Sequence, residues 1–137
     1  MPCAFHAERP YPFPVVGADC QFAEDPAHPL IGVGGKHWCR FHLPLDAKDT
    51  DGARKEDWDS SAVNAFNEAI FRHIDAAKAV DEPADLTGVA FPGDISFDRY
   101  RGADCALPDI SFMEAKFGGD ASFHLAQFSG IAGFDMA

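Results

Sequence analysis

The sequence predicts a mainly β protein with one helix, in which a solenoid of short strands follows an amphipathic helix and an irregular Cys/His-rich segment. Three differences in texture lead to this prediction. Residues 1–45 hold seven of the ten prolines and three of the four cysteines, residues 46–84 contain a helical apolar pattern, and residues 85–137 contain a short repeat. We therefore divide the chain at these boundaries into a Cys/His-rich segment, a linker with a helix, and a repeat region.

In the repeat region a small or aliphatic residue stands two positions before an aromatic residue many times over. The seven pairs are Val89 and Phe91, Ile95 and Phe97, Ile110 and Phe112, Ala115 and Phe117, Ala121 and Phe123, Ala126 and Phe128, and Ala132 and Phe134, with Ala103 and Cys105 as a degenerate member. A spacing of five to six residues fits neither a helix nor a flat strand. We predict short strands joined by tight corners, with both residues of each pair pointing inward and about twenty-two residues in each coil.

Units of the form A-x-F separated by Gly-Asp resemble the pentapeptide-repeat family. The segment Asp85-Leu-Thr-Gly-Val-Ala-Phe-Pro-Gly-Asp-Ile-Ser-Phe97 is similar to the usual entry into such repeats. The resemblance implies that residues 85–137 form a short right-handed, four-sided β-helix of about two coils. Such a short stack leaves strand edges and an apolar axis exposed unless something covers its end.

An amphipathic helix is predicted from about Ser60, where apolar residues recur at steps of three and four. Those residues are Val63, Phe66, Ile70, Ile74 and Ala77. Asp59 or Ser60 can cap its start, and Asp81-Glu82-Pro83 ends it. The apolar stripe packs either on the rest of this fold or on a partner. The charged stretch before it, residues 46–57, is predicted to be a solvated linker or turn.

Two C-x-x-H signatures lie at the ends of the first segment, Cys3-Ala4-Phe5-His6 and Cys39-Arg40-Phe41-His42. Thiolate and imidazole are the ligands of tetrahedral zinc, and the free energy of binding a structural metal stabilises the fold around it. A zinc knuckle would hold together a segment that prolines prevent from forming regular structure. The alternatives are that the cysteines are small buried apolar residues, or that a Cys-His pair is catalytic.

This segment is similar to the Cys…Cys…Cys-x-x-His-Leu-Pro segment that precedes some bacterial pentapeptide repeats. By that resemblance Cys3, Cys20, Cys39 and His42 would bind one structural zinc ion. His6 remains an alternative ligand to Cys20.

Composition limits the classes of partner. The chain has 22 acidic and 11 basic side chains, a formal charge of −11, which disfavours direct binding of nucleic acid. No apolar run approaches the roughly 20 residues of a membrane span, and the N-terminus does not resemble a signal peptide. We expect a cytoplasmic protein with no membrane contact. An acidic stripe is predicted on the repeat region, from Asp94, Asp98, Asp104, Asp109, Glu114, Asp120 and Asp135.

Because no convincing catalytic constellation stands in the sequence, we predict a non-enzymatic protein-binding or scaffold module. It would bind a partner protein or a second copy of itself through the open β-helix end or the acidic face. The alternative is an acidic DNA-mimic inhibitor of a nucleic-acid-handling enzyme. The family resemblance includes proteins that imitate duplex DNA and occupy topoisomerases, and small acidic phage proteins block CRISPR effectors by the same electrostatic route. Two coils make a rod of only roughly 10 Å, which disfavours the topoisomerase version.

Overall fold

A computed structural model describes residue 22 and residues 31–33, 36–48, 54–100, 105–124, 126–127 and 132–133. One cluster of buried side chains joins all three predicted segments. It includes Phe22 and Phe41 from the first, Phe66 and Ile74 from the second, and apolar residues of the repeat region. In the described part of the chain, no helix combines the length and the apolar character needed to cross a bilayer.

The first segment contains a small antiparallel pair, β1 (Ile31–Val33) and β2 (Lys36–Trp38), in which Ile31 lies opposite Trp38. This pair runs directly into the second C-x-x-H signature. The charged stretch that follows contains a bridge between Lys48 and Arg54 and a 3-10 turn at Lys55–Asp57. The prediction of a solvated linker is wrong for Lys55, whose side chain is completely buried.

Helix α1 (Ser60–Ala79) follows the prediction closely. The Asp59 carboxylate accepts a hydrogen bond from the Ala62 amide at 2.8 Å and so caps the first turn. Phe66, Ile70 and Ile74 of the predicted stripe are buried within this fold. The ring of Phe66 meets Phe91 edge-on at 6.0 Å, and Phe71 meets Phe97 at 5.8 Å. The helix therefore packs against the beginning of the repeat region.

The repeat region consists of two-residue strands that pair in parallel. Their bounds are β3 (Ala84–Asp85), β4 (Ala90–Phe91), β5 (Ile95–Ser96), β6 (Ile110–Ser111), β7 (Lys116–Phe117), β8 (Ala121–Ser122) and β9 (Ala132–Gly133). They form one sheet in the order β3-β6-β9 and two pairs, β4-β7 and β5-β8. The chain is thus mixed in strand direction, with one α-helix and short strands among the residues described.

Partner strands recur at intervals of 26 and then 22 positions along the chain. Ala84, Ala90 and Ile95 pair with residues 26 positions later, namely Ile110, Lys116 and Ala121. The next step is 22 positions, from Ile110 to Ala132, which is the length predicted for one coil. The first interval therefore exceeds the predicted length by four residues.

Phenylalanine rings stack in register with the strands. Phe91 lies 4.7 Å from Phe117 at an interplanar angle of 3°, and Phe97 lies 4.7 Å from Phe123 at 5°. These distances match the spacing of neighbouring strands, about 4.8 Å. The ring of Phe112 contacts all four. The first three pairs point inward and are buried, as predicted, while Phe117, Ala121 and Phe123 are only partly buried.

The corners repeat with the strands. A side chain at the second position of a strand accepts a hydrogen bond from the amide two residues later: Asp85 accepts from the Thr87 amide, and Ser111 accepts from the Met113 amide. Ser96 and Ser122 do the same. Gly88 and Glu114 occupy equivalent corners 26 positions apart and have φ of 74° and 58°. Glycine adopts this left-handed backbone freely, whereas glutamate does so under strain.

Candidate metal centre at the 39–43 turn

The second C-x-x-H signature forms a single tight turn. The Leu43 amide donates to the Cys39 carbonyl at 2.9 Å, the i to i−4 bond of one helical turn. Residues three apart in such a turn lie on the same side of it. Accordingly the Cys39 Sγ and the His42 Nδ1 are 3.3 Å apart. We call residues 39–43 the 39–43 turn.

The His42 ring is buried, with 2% of its surface exposed. Its Nε2 lies 3.0 Å from the Thr87 carbonyl oxygen. A carbonyl can only accept, so Nε2 carries a proton in this bond, and the other ring nitrogen, Nδ1, faces the Cys39 sulfur. The repeat region thereby fixes the orientation of the imidazole and the position of one of its protons.

This arrangement fits half of a tetrahedral zinc site. Zinc bonds of about 2.3 Å to sulfur and about 2.0–2.1 Å to nitrogen place two tetrahedral ligands about 3.5 Å apart, close to the Cys39–His42 distance. Zinc-binding histidines usually donate their other ring N–H to a carbonyl or carboxylate, as His42 does to Thr87. Within the described residues, no group of three or more His, Cys, Asp and Glu side chains is positioned to hold a metal.

Lys55 holds the backbone of the turn. Its Nζ donates to the carbonyl oxygens of Phe41 at 3.3 Å and Leu43 at 3.1 Å, and also to that of Arg40. The ammonium lies 4.7 Å from the centre of the Phe66 ring on α1 and 5.7 Å from that of Trp58, so cation–π attraction adds to the hydrogen bonds. One buried cation thus donates to three carbonyls of the same turn.

Aromatic rings and the first strands of the repeat region close the site. Phe22 stacks on Phe41 at 4.1 Å and meets His42 edge-on at 5.4 Å. The Ala90 amide, at the start of β4, donates to the Phe41 carbonyl at 2.9 Å. Phe22 is two positions after Cys20 in the sequence. A sequence neighbour of the predicted ligand Cys20 therefore packs directly on the predicted ligand His42.

Of the predicted ligands, the structure brings Cys39 and His42 together. Cys3, Cys20 and the alternative ligand His6 lie outside the described residues. Sequence reasoning missed Lys55 and Thr87. A lysine in a charged stretch carries no local sign of burial, and the contribution of Thr87 is a backbone carbonyl, which residue type does not reveal.

The predicted acidic stripe is partly described. Asp94, Asp109 and Asp120 are exposed, and Asp98 and Glu114 are half-buried. Asp104 and Asp135 lie outside the described residues. Arg99, one of the basic residues in this region, bonds Glu68 of α1 at 2.9 Å.

The chain matches no protein-family model, and comparisons with curated proteins and with solved structures find no significant similarity.

Proposed function

We propose that this chain is a non-enzymatic protein-binding or scaffold module, built on a short right-handed β-helix and a structural zinc knuckle. The observation that carries the proposal is the condition of His42. It is buried, its Nε2 is occupied by Thr87, and its Nδ1 faces Cys39. A general base must reach a proton on the substrate, which an enclosed imidazole does not do. An imidazole buried in this way is therefore suited to a structural role as a ligand.

The β-helix part of the proposal is supported by the parallel pairing at 26 and 22 positions and by the stacked phenylalanines. In a β-helix each strand of one coil pairs in parallel with the equivalent strand of the next coil. Right-handedness and four sides follow from the pentapeptide-repeat resemblance.

In the zinc knuckle, Cys39 and His42 supply two ligands. The resemblance assigns the other two to Cys3 and Cys20, with His6 as the alternative to Cys20. Zinc held by four protein ligands has no open position, so it would tie the first 45 residues to the repeat region and activate no water. The Lys55 and Thr87 contacts support this role because they hold the 39–43 turn with the Cys39 sulfur and the His42 Nδ1 side by side.

Zinc content tests the knuckle. We expect about one zinc per chain in full-length protein purified without chelator, and loss of most of it in Cys39→Ser and His42→Gln. Cys105→Ser is the matched control, since Cys105 is an exposed thiol and its loss leaves the zinc in place. Metal-free wild-type protein that is folded, with an unchanged melting temperature in chelator, would contradict the knuckle.

The partner is a protein that binds at the β-helix end or on the acidic face, or a second copy of the chain. Sedimentation velocity over a wide concentration range tests self-association. End-on docking through half-buried rings such as Phe117 and Phe123 would depend weakly on ionic strength. Binding of a basic nucleic-acid enzyme by an acidic decoy would weaken steeply with added salt. A steep salt dependence would favour the DNA-mimic alternative over the scaffold.

A further inference from the structure

The two edges of the parallel strands differ in what covers them. On the side of β4 that faces away from β7, the Ala90 amide donates to the Phe41 carbonyl at 2.9 Å. On the corresponding side of β5, the side-chain Nδ2 of Asn67 on α1 donates to the Asp94 carbonyl at 2.9 Å. Groups from the first segment and from the helix therefore pair with this edge.

The opposite edge, at β7, is unpaired. The amides of Lys116 and Gly118 donate to carbonyls along β4 at 2.9 Å and 2.8 Å. Alternate residues of a strand face opposite neighbours, so the amide and carbonyl of Phe117 face away from β4. In the described part of the chain, β7 pairs with β4 alone, and neither backbone group of Phe117 has a hydrogen bond. Such an edge is a template for a further strand.

The ring of Phe117 remains partly exposed at the same edge. It stacks on the fully buried ring of Phe91 at 4.7 Å, with an interplanar angle of 3°. Neighbouring strands lie about 4.8 Å apart, so an aromatic side chain at the equivalent position of an added strand would stack on Phe117 in the same way. The edge therefore suits an extended backbone that carries an aromatic ring.

Lys116 indicates the charge of the added strand. Its side chain is exposed, and no acidic side chain pairs with it among the residues described. Lys116 lies opposite Ala90, so a strand added in the same register would place one of its side chains directly beside Lys116. An opposite charge at that position is stabilising and a like charge is destabilising. A second copy adding its own β7 in register would bring two lysines together, whereas an aspartate or glutamate would pair with Lys116.

We propose that β7 binds an extended segment of a partner protein as a further parallel strand, with a carboxylate beside Lys116 and an aromatic ring on Phe117. Main-chain hydrogen bonds supply the attachment and these two side chains supply the specificity, as is general for strand addition. The inference rests on the proposed protein-binding function, and it names one surface and the chemistry of the segment that fits it.

The test uses isotope-labelled full-length protein titrated with the peptide acetyl-Gly-Ala-Glu-Phe-Gly-Ser-amide and followed by NMR. We expect saturable shifts centred on the Phe117 amide, and slower hydrogen exchange of that amide because it gains an acceptor. A matched peptide has sarcosine in place of the glycine after phenylalanine. It lacks the N–H that would donate to the Phe117 carbonyl, so it should produce no saturable shifts.

The charge is tested by a swap. Lys116→Glu should weaken binding of the peptide about fivefold, and a peptide with lysine in place of glutamate should then bind this variant more tightly than the original peptide does. Lys48→Glu is the matched control, an exposed lysine outside β7, and should leave the affinities of both peptides unchanged.

Three outcomes would overturn the inference. These are an absence of saturable shifts at Phe117, equal binding of the sarcosine peptide, and equal affinities of Lys116→Glu and Lys48→Glu for the original peptide. The proposed function fails separately. A second copy or a partner protein that binds wild type and Lys116→Glu with equal affinity would support the protein-binding function while contradicting the assignment of this edge.

Discussion

The 39–43 turn and the parallel strands from residue 84 onward satisfy their backbone polar groups by opposite means. In the strands, amides and carbonyls pair with the next strand along its length, as between Phe97 and Ser122 at 2.8 Å. In the turn, three carbonyls converge on the single ammonium of Lys55. The strands thus leave the interior to apolar rings, while the turn places a charge inside the protein.

Because of this difference, we expect different kinds of substitution to destabilise the two regions. Because the strand ladder satisfies its own polar groups, the strands depend on packing, and their weak points are the rings of the core. The turn depends on polar satisfaction, so its weak point is the loss of one donor. Substitutions that remove volume and substitutions that remove charge should therefore act on different regions.

Phe97→Ala should have the largest effect. Phe97 is fully buried and contacts Phe71, Phe112 and Phe123, so its removal leaves a cavity that costs about 3–5 kcal/mol. Chemical denaturation measures the change in the free energy of unfolding. Phe123→Ala is the matched control on the neighbouring strand, where the ring is only partly buried, and we expect about half the loss. Equal losses would mean that the two rings are equally enclosed in solution.

Lys55→Met should come next, at about 3 kcal/mol. Methionine fills similar volume but donates nothing, so the carbonyls of the turn lose their charged donor, and the avoided desolvation of the ammonium offsets only part of that loss. Lys116→Met, at an exposed lysine, should change the unfolding free energy by less than about 0.5 kcal/mol. An unchanged unfolding free energy in Lys55→Met would show that the carbonyls find other hydrogen-bond donors.

The smallest expected effect is a pH dependence at His73. Burial lowers the pKa of His73, against the raising effects of its bond to the Asp85 carbonyl and the Asp85 charge. Between the lowered pKa and the unfolded value near 6.5, the unfolded state binds more protons, so stability falls as pH falls through this window. The readout is the unfolding free energy measured from pH 7.5 downward. His73→Gln should show a shallower decline, and an identical profile would contradict the assignment.

Local patterns predicted the local structure. The start, cap and buried stripe of α1 follow from apolar spacing and a capping aspartate, and the inward pairs from Val89 to Phe112 follow from their repetition. The 26-position interval between the first and second sets of strands could not be predicted, because the degenerate stretch around Ala103 has no regular spacing. The candidate site was predictable only in part, since Cys39 and His42 carry recognisable chemistry while Lys55 and Thr87 act through contacts distant in sequence.

The burial of Lys55 also has a consequence for chemical labelling. Amine-acylating reagents attack the neutral, solvent-accessible form of a lysine, and the Lys55 nitrogen is enclosed and bonded to three carbonyls. Lys48 and Lys116 are exposed and should react at the rate of free amines. The rate of Lys55 acylation, followed by mass spectrometry, would therefore measure how often the 39–43 turn opens to solvent in the unmodified protein.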